Sequence, residues 1–177
     1  MTLRVERLGA DEWPRWREVR IRALRTDPDA FACSAHRLGT QTPPEQWREA
    51  MADRSVFLAV DEDGDVAMVG VTHTATPELV SMWVAPQARG TGVGLALVQE
   101  VLAVAGARPV ALRVMAGNET AMRFYERCGF VLVTDEPDVE GTLTMRRDAT
   151  PAPAAWPAPA ARPHRPGGSP PAPTADQ

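Results

Sequence analysis

The chain contains no lysine, since all nineteen of its basic residues are arginine. This absence excludes a P-loop, which needs a lysine to reach the phosphates of a nucleotide. It also excludes a Schiff base formed on a lysine of the protein itself. The formal net charge of −4 and the pI near 5.4 argue against a nucleic-acid-binding protein, which is usually basic. We therefore expect no nucleic-acid partner.

Cysteine is also scarce. Cys33 and Cys128 are too few for a disulfide framework and are interpreted as reduced thiols. The spacing Cys33-x-x-His36 has no second pair of metal ligands, and the acidic turn Asp61–Asp65 lacks the glycine and glutamate positions of a calcium loop. We therefore expect no metal.

Long apolar runs are missing as well. No run approaches the ~18 residues that a membrane-spanning helix needs. The first residues do not contain the apolar core of a signal peptide. These features predict a cytoplasmic protein without a membrane partner.

Proline is unevenly distributed. Nine of the seventeen prolines lie between Pro151 and Pro173, mixed with alanine. Such a composition cannot bury enough apolar surface to form a core. The sequence therefore predicts one folded domain over residues 1–148 and a disordered or polyproline-like tail over residues 149–177.

Hydrophobic periodicity predicts a mixture of helices and strands in residues 1–148. We expect a helix capped by Asp11 that runs to about Arg25, with its arginines on a solvated face, and a second helix from Thr42 with Trp47 and Met51 inward. A short helix capped by Asn118 should end at Gly129. The predicted strands are an edge strand over 3–8, a hairpin of 55–60 and 66–72, buried strands at 79–84 and 109–115, and a closing antiparallel pair at 130–134 and 142–145.

The stretch from Glu78 to Gly106 is the most informative part of the chain. A buried strand ends at Pro86, a glycine-rich loop follows, and apolar residues recur at helical spacing from Leu95. A strand, a helix and a further strand of these lengths imply a right-handed crossover between two parallel strands. A glycine loop that opens onto a helix N-terminus is suited to bind phosphate, because unpaired N–H groups and the helix dipole point at the ligand.

The dinucleotide fingerprint does not fit this loop, because its third glycine would fall at Leu95. The remaining pattern, Gln87-x-x-Gly90-x-Gly92 after a strand ending in Val84-x-Pro86, resembles the acetyl-coenzyme-A loop of the GNAT N-acetyltransferase superfamily. A second segment, Asn118-x-x-Ala-x-x-x-Tyr125-x-x-x-Gly-Phe130, is similar to the other GNAT signature. The resemblance covers roughly residues 78–133.

The resemblance implies an α/β fold with a central mixed, mostly antiparallel sheet of six or seven strands, flanked by helices. It also implies acetyl-coenzyme A as co-substrate, with backbone groups of the strand pairing with the pantetheine arm and loop amides holding the pyrophosphate. Asn118 would shape the thioester site, Tyr125 would protonate the departing thiolate, and Glu78 is the candidate base. The implied cofactor-binding residues, besides Asn118, are Met82, Trp83, Val84, Gln87, Arg89, Gly90, Thr91, Gly92, Val93 and Gly94.

Two functions stay open at this point. The first is an N-acetyltransferase that acts on a primary amine, either a small molecule or a protein amine, by direct attack in a ternary complex. The second is a non-catalytic acyl-coenzyme-A-binding sensor or interaction module. The resemblance assigns the acceptor to the first two helices and the loop over residues 135–140, but the sequence does not rank the candidate amines. A homodimer is the expected assembly.

Overall fold

The computed structural model describes residues 3–31 and 38–149. Residues 150–177 of the predicted tail, and the Cys33–His36 pair, therefore lie outside the described residues. Within the described ranges, no helix is both long enough and apolar enough to cross a membrane.

One seven-stranded sheet organises the described residues, with strand order β1-β2-β3-β4-β5-β7-β6. All neighbouring strands are antiparallel except β4 and β5, which are parallel. This arrangement confirms the mixed sheet and the single parallel crossover predicted from the sequence. The strands are β1 Arg4–Arg7, β2 Arg54–Asp61, β3 Gly64–Thr72, β4 Glu78–Val84, β5 Val110–Met115, β6 Val131–Leu132 and β7 Thr142–Arg147.

Within the described part of the chain, four α-helices pack with this sheet: α1 Trp13–Thr26, α2 Pro44–Ala52, α3 Val93–Ala105 and α4 Glu119–Arg127. All residues of β2 after Arg54, and the central residues 66–71 of β3, are buried. Because successive side chains of a strand point to opposite faces, both faces of the sheet are covered at its centre. Trp16 of α1 and Trp47 of α2 are fully buried and meet edge to face, with ring centroids 5.1 Å apart.

Several predicted boundaries need correction. Asp11 does not cap α1, because it lies in a short 3₁₀ turn over Ala10–Glu12 and the α-helix begins at Trp13. Helix α3 begins at Val93, and Leu95 is exposed rather than part of the buried face. The strand predicted from Phe130 shrinks to two residues, since Phe130 itself turns into the core.

The prediction that Asn118 caps the short helix is confirmed. Its side-chain Oδ1 accepts a hydrogen bond from the backbone N–H of Ala121 at 3.1 Å and caps α4. Gly129 has a φ of +87° just after the helix, a conformation that favours glycine. The short helix therefore begins and ends where the sequence indicated.

Candidate active site

Strands β4 and β5 separate soon after they meet. Their pairing is limited to Glu78 with Ala111 and Leu79 with Leu112. From Val80 to Val84, the edge of β4 that faces β5 is therefore not covered by that strand. An open strand edge presents N–H and C=O groups that can pair with an extended ligand.

A bulge in β4 accompanies this separation. The register with β3 shifts between Met68 and Gly70, so that one more residue lies on β4 than on β3. Ser81, within the bulge, has a φ of +56°, which is uncommon for a residue other than glycine. A Cβ on Gly70 would lie 3.0 Å from the Val80 side chain, so glycine permits the close approach. The bulge increases the local bend and twist of β4 where it leaves β5.

The glycine loop lies at the end of this open edge. Gly90 and Gly92 have φ values of +78° and +89°, so both adopt the left-handed conformation that glycine tolerates. Helix α3 begins directly afterwards, and no side chain caps its N-terminus. The first N–H groups of a helix have no partner within the helix, and here they include the amides of Val93 and Gly94. The geometry is that of an anion-binding cradle.

Gly94 also permits close packing of two helices. A Cβ at this position would lie 3.2 Å from Cζ of Phe124 and 3.4 Å from the methyl carbon of Met82. Glycine therefore lets the first turn of α3 approach α4 and the bulged part of β4. The two predicted segments meet at this contact, since Gly94 lies just after the first motif and Phe124 lies within the second.

The remaining residues of the loop motif are held on the surface. Gln87 is exposed in a 3₁₀ turn over Pro86–Ala88, and the Thr91 hydroxyl donates to the Ala88 carbonyl at 2.7 Å. Arg89 donates from Nε to the Val84 carbonyl at 3.0 Å and forms an ion pair with Asp27 at 2.6 Å. No motif in the sequence predicts a role for Asp27, which is the C-cap residue of α1.

A cleft of about 740 Å³ opens beside the separated strands, and Glu78, Asn118 and Tyr125 all line it. These three predicted residues are far apart in the sequence, and the fold brings them to one cavity. Met82 lines the same cleft. The side chain of Trp83 is buried, and its indole N–H donates to Asp27 at 2.8 Å. Only the backbone of Trp83 is therefore available to a ligand on the β4 edge.

Tyr125 is almost fully buried between two aromatic rings, with centroid distances of 5.3 Å to Phe124 and 5.8 Å to Phe130. Burial raises the pKa of its phenol well above the usual value, with a smaller contribution from Cys128. The phenol is therefore protonated at neutral pH. Burial also raises the pKa of the half-buried Cys128 thiol, which disfavours the reactive thiolate.

Glu78 begins β4, as predicted. Its backbone N–H donates to the Thr72 hydroxyl at 2.9 Å, and its carboxylate lies 3.4 Å from Nε of Arg113. Arg113 also contacts Glu140 at 3.0 Å, which links the cleft to the loop between β6 and β7. In that loop, hydrogen bonds from Thr142 lower the pKa of Asp138.

The prediction that the arginines of α1 lie on a solvated face is wrong for Arg20. Arg20 does not lie on a solvated face, since only 3% of it is exposed and it lines the cleft. Its guanidinium donates to the Ser81 hydroxyl at 3.0 Å. The sequence did contain a signal, because Trp16, Val19, Arg20 and Ala23 follow the i, i+3, i+4, i+7 spacing of one helix face. That face is the buried one.

The comparisons with known proteins agree with this geometry. The family described as "Acetyltransferase (GNAT) domain" matches residues 52–132. That segment contains both sequence motifs, the separated strands and the glycine loop. Residues 52–132 of the chain therefore match the GNAT acetyltransferase superfamily.

Individual relatives extend the comparison. A mycothiol acetyltransferase from Beutenbergia cavernae is 32% identical in an alignment over 126 residues that covers 67% of this chain and 41% of the relative. The chain thus spans about two fifths of the length of this curated relative.

Solved structures share the fold. A PaiA N-acetyltransferase from Thermoplasma acidophilum, in complex with coenzyme A, superposes with a TM-score of 0.63 at 14% identity, covering 84% of this chain and 99% of the other. A protein described as histone acetyltransferase HPA2 and related acetyltransferase, from Corynebacterium glutamicum, gives a TM-score of 0.60 at 22% identity, covering 87% and 99%.

Proposed function

We propose that the protein is an N-acetyltransferase that transfers the acetyl group of acetyl-coenzyme A to a primary amine by direct attack in a ternary complex. One observation carries this proposal. The open edge of β4 runs directly into the uncapped N-terminus of α3, and Tyr125 and Glu78 line the cleft beside it.

The residues present fit acetyl-coenzyme A. An extended pantetheine arm needs backbone partners, and the edge of β4 from Met82 to Val84 supplies them. A pyrophosphate needs several N–H donors, and the loop from Arg89 to Gly94 opens onto the helix with two left-handed glycines. Space for close approach is present, since an added Cβ at Gly90 or Gly92 would meet no atom within 4 Å.

The thioester of the bound co-substrate supplies an activated acetyl group, and the chain supplies position and proton transfer. Tyr125 holds a proton on its buried phenol and gives it to the sulfur as the carbon–sulfur bond breaks. A thiol has an ordinary pKa of about 8.5, below the raised pKa of this phenol, so Tyr125 regains its proton after each turnover.

Glu78 serves as the base in this proposal. An alkyl amine has a pKa near ~10 and is mostly protonated at neutral pH, so it must lose a proton before it attacks. The Glu78 carboxylate accepts that proton through a water molecule. Arg113, 3.4 Å away, holds the carboxylate at the start of β4, beside the point where the strands separate.

Asn118 has a positioning role. Its Oδ1 is used to cap α4, and this cap fixes the first turn of the helix that carries Tyr125. Asn118 also lines the cleft. It therefore shapes the thioester site through the orientation of α4.

Calorimetric titration with acetyl-coenzyme A, with NAD and ATP as controls, tests the cofactor assignment. Thiol release in the presence of a panel of amines tests the transfer. We expect selective binding and amine-dependent release. Failure to bind at millimolar acetyl-coenzyme A would contradict the cofactor site. Tight binding without transfer to any amine would favour the non-catalytic acyl-coenzyme-A-binding module instead.

A further inference from the structure

Two arginines line the cleft on the side of α1 and β2. Arg20 comes from the middle of α1, and Arg54 is the first residue of β2. Both are largely removed from solvent, which is unusual for arginine. The placement of two like charges in one cavity is a cost to the fold, because burial reduces the screening of their repulsion by water.

Aromatic rings hold both guanidinium groups in place. Arg20 lies over the ring of Phe31 at 5.6 Å, and Arg54 lies over the ring of Trp16 at 5.8 Å. Arg20 also donates to Ser81, the strained residue of the β4 bulge. A guanidinium stacked on an aromatic ring keeps its N–H edge fixed and available to a planar acceptor.

The two arginines repel each other. Burial, together with a smaller contribution from the charge of Arg54, lowers the pKa of Arg20 to about 10. Burial also lowers the pKa of Arg54, against the opposing effects of Asp53 and Glu78. Among the described residues no carboxylate forms an ion pair with Arg54, and its Nε is buried without a hydrogen-bond partner. A bound anion would supply the missing acceptor and offset the repulsion.

We propose that Arg20, Arg54 and Ser81 bind a carboxylate of the acceptor, so that the substrates are amines that also carry a carboxylate, such as free amino acids. The inference rests on the proposed function and names the acceptor class of the same cleft. The acceptor carboxylate binds the two guanidinium groups, and its amine points toward Glu78 at the start of β4. Opposite charges of the cleft thus match the two ends of a zwitterion.

The test compares acceptors that differ only in the carboxylate. Each common L-amino acid is assayed beside its carboxamide and beside the amine that lacks the carboxyl group, with acetyl-coenzyme A and thiol-release detection. For the acceptors that react, we expect kcat/KM to be at least about tenfold higher for the carboxylate form than for the other two forms. Only the carboxylate form makes a charge-assisted hydrogen bond with the arginines. Equal kcat/KM for the three forms would overturn the inference, and so would a preference for the matching amino phosphonate over the carboxylate.

Arg54→Gln separates binding from structure. If Arg54 binds the carboxylate, this variant should lower the ratio of kcat/KM between carboxylate and carboxamide by about tenfold. If Arg54 only supports the fold, both acceptors lose activity equally and the ratio stays unchanged. Arg25→Gln is the matched control, because Arg25 is an exposed arginine of α1 that does not line the cleft.

A binding measurement keeps the two proposals distinguishable. N-acetylglycine and N-acetylalanine carry a carboxylate and no free amine, and they are titrated in the presence of coenzyme A into wild type and Arg54→Gln. Binding that weakens in the variant supports the anion site even if no amine is acetylated, which would contradict the transferase proposal alone. Transfer to amines without carboxylate preference, and no binding of these probes, would overturn the anion site alone.

Discussion

The carboxylate of Asp27 accepts two hydrogen bonds on the same oxygen, from Arg89 at 2.6 Å and from the indole of Trp83 at 2.8 Å. These contacts tie the end of α1 to the start of the glycine loop and to β4. Arg89 in turn donates to the Val84 carbonyl. Asp27 therefore determines where Arg89 lies when a ligand reaches the open edge of β4.

The two contacts of Asp27 should differ in their contribution to stability. Trp83 is buried, so Asp27→Ala leaves the indole N–H of Trp83 without a hydrogen-bond acceptor. This variant should lower the free energy of unfolding by about 1–3 kcal/mol. Arg89 is half exposed, so Arg89→Gln should cost only about 0.2–1 kcal/mol. Urea unfolding of the two variants measures both values. An equal loss in both would show that the ion pair, not the indole contact, is the stabilising one.

The glycine loop gives a prediction about charge. Gly92 occupies the N-cap position of α3 in open space, so Asp and Asn there have the same shape and the same cost in backbone strain. Asp adds a negative charge where we propose that the pyrophosphate binds. We expect Gly92→Asp to weaken acetyl-coenzyme A binding at least about tenfold more than Gly92→Asn, because only the Asp carboxylate repels the negatively charged pyrophosphate.

Calorimetry at low and moderate salt gives this comparison, since screening should reduce the difference between the two variants. Their melting temperatures serve as the control for folding and should agree closely. Equal affinity of the Asp and Asn variants would place the pyrophosphate elsewhere.

Local signals made much of this fold predictable. The strands, the hairpin at Asp61–Asp65, the glycine loop and the cap at Asn118 each depend on residues close together in the sequence. The bulge at Ser81 was not predictable in the same way, because a serine with positive φ reflects its pairing with β3.

The cleft side chains from distant elements were harder to find. The sequence predicts that Arg20 is exposed to solvent, because charged residues usually are. Its position in the helix nevertheless matches the buried face of α1. Its burial depends on the bulge of β4, sixty-one residues further along the chain, where Ser81 accepts its hydrogen bond. Asp27 was missed for the same reason, since its partners Trp83 and Arg89 become neighbours only in the folded chain.

The proposed base can be tested against a neighbouring carboxylate. Glu78 and Glu140 both contact Arg113, at 3.4 and 3.0 Å. Glu78→Gln removes the proposed proton acceptor and should lower kcat by about tenfold or more. Glu140→Gln removes a similar charge from the same arginine and should leave kcat at saturating acceptor close to wild type. Steady-state kinetics of both variants decides the assignment, and a similar loss in the two would attribute the effect to Arg113.

Tyr125→Phe tests the proton donor. Phenylalanine keeps the aromatic contacts with Phe124 and Phe130 and removes only the hydroxyl, so the fold should be retained. We expect kcat to fall by about 10²-fold or more, as for the loss of a general acid, while the Kd for acetyl-coenzyme A changes little.

The pH profile supplies an independent check on Tyr125. Because burial raises its pKa, the phenol stays protonated through and beyond the ordinary tyrosine range. Loss of that proton should therefore cause no decline in wild-type kcat below about pH 10, the ordinary value for tyrosine. A decline below that pH that is present in wild type and absent in Tyr125→Phe would show an acidic phenol and contradict its role as a proton donor held by burial.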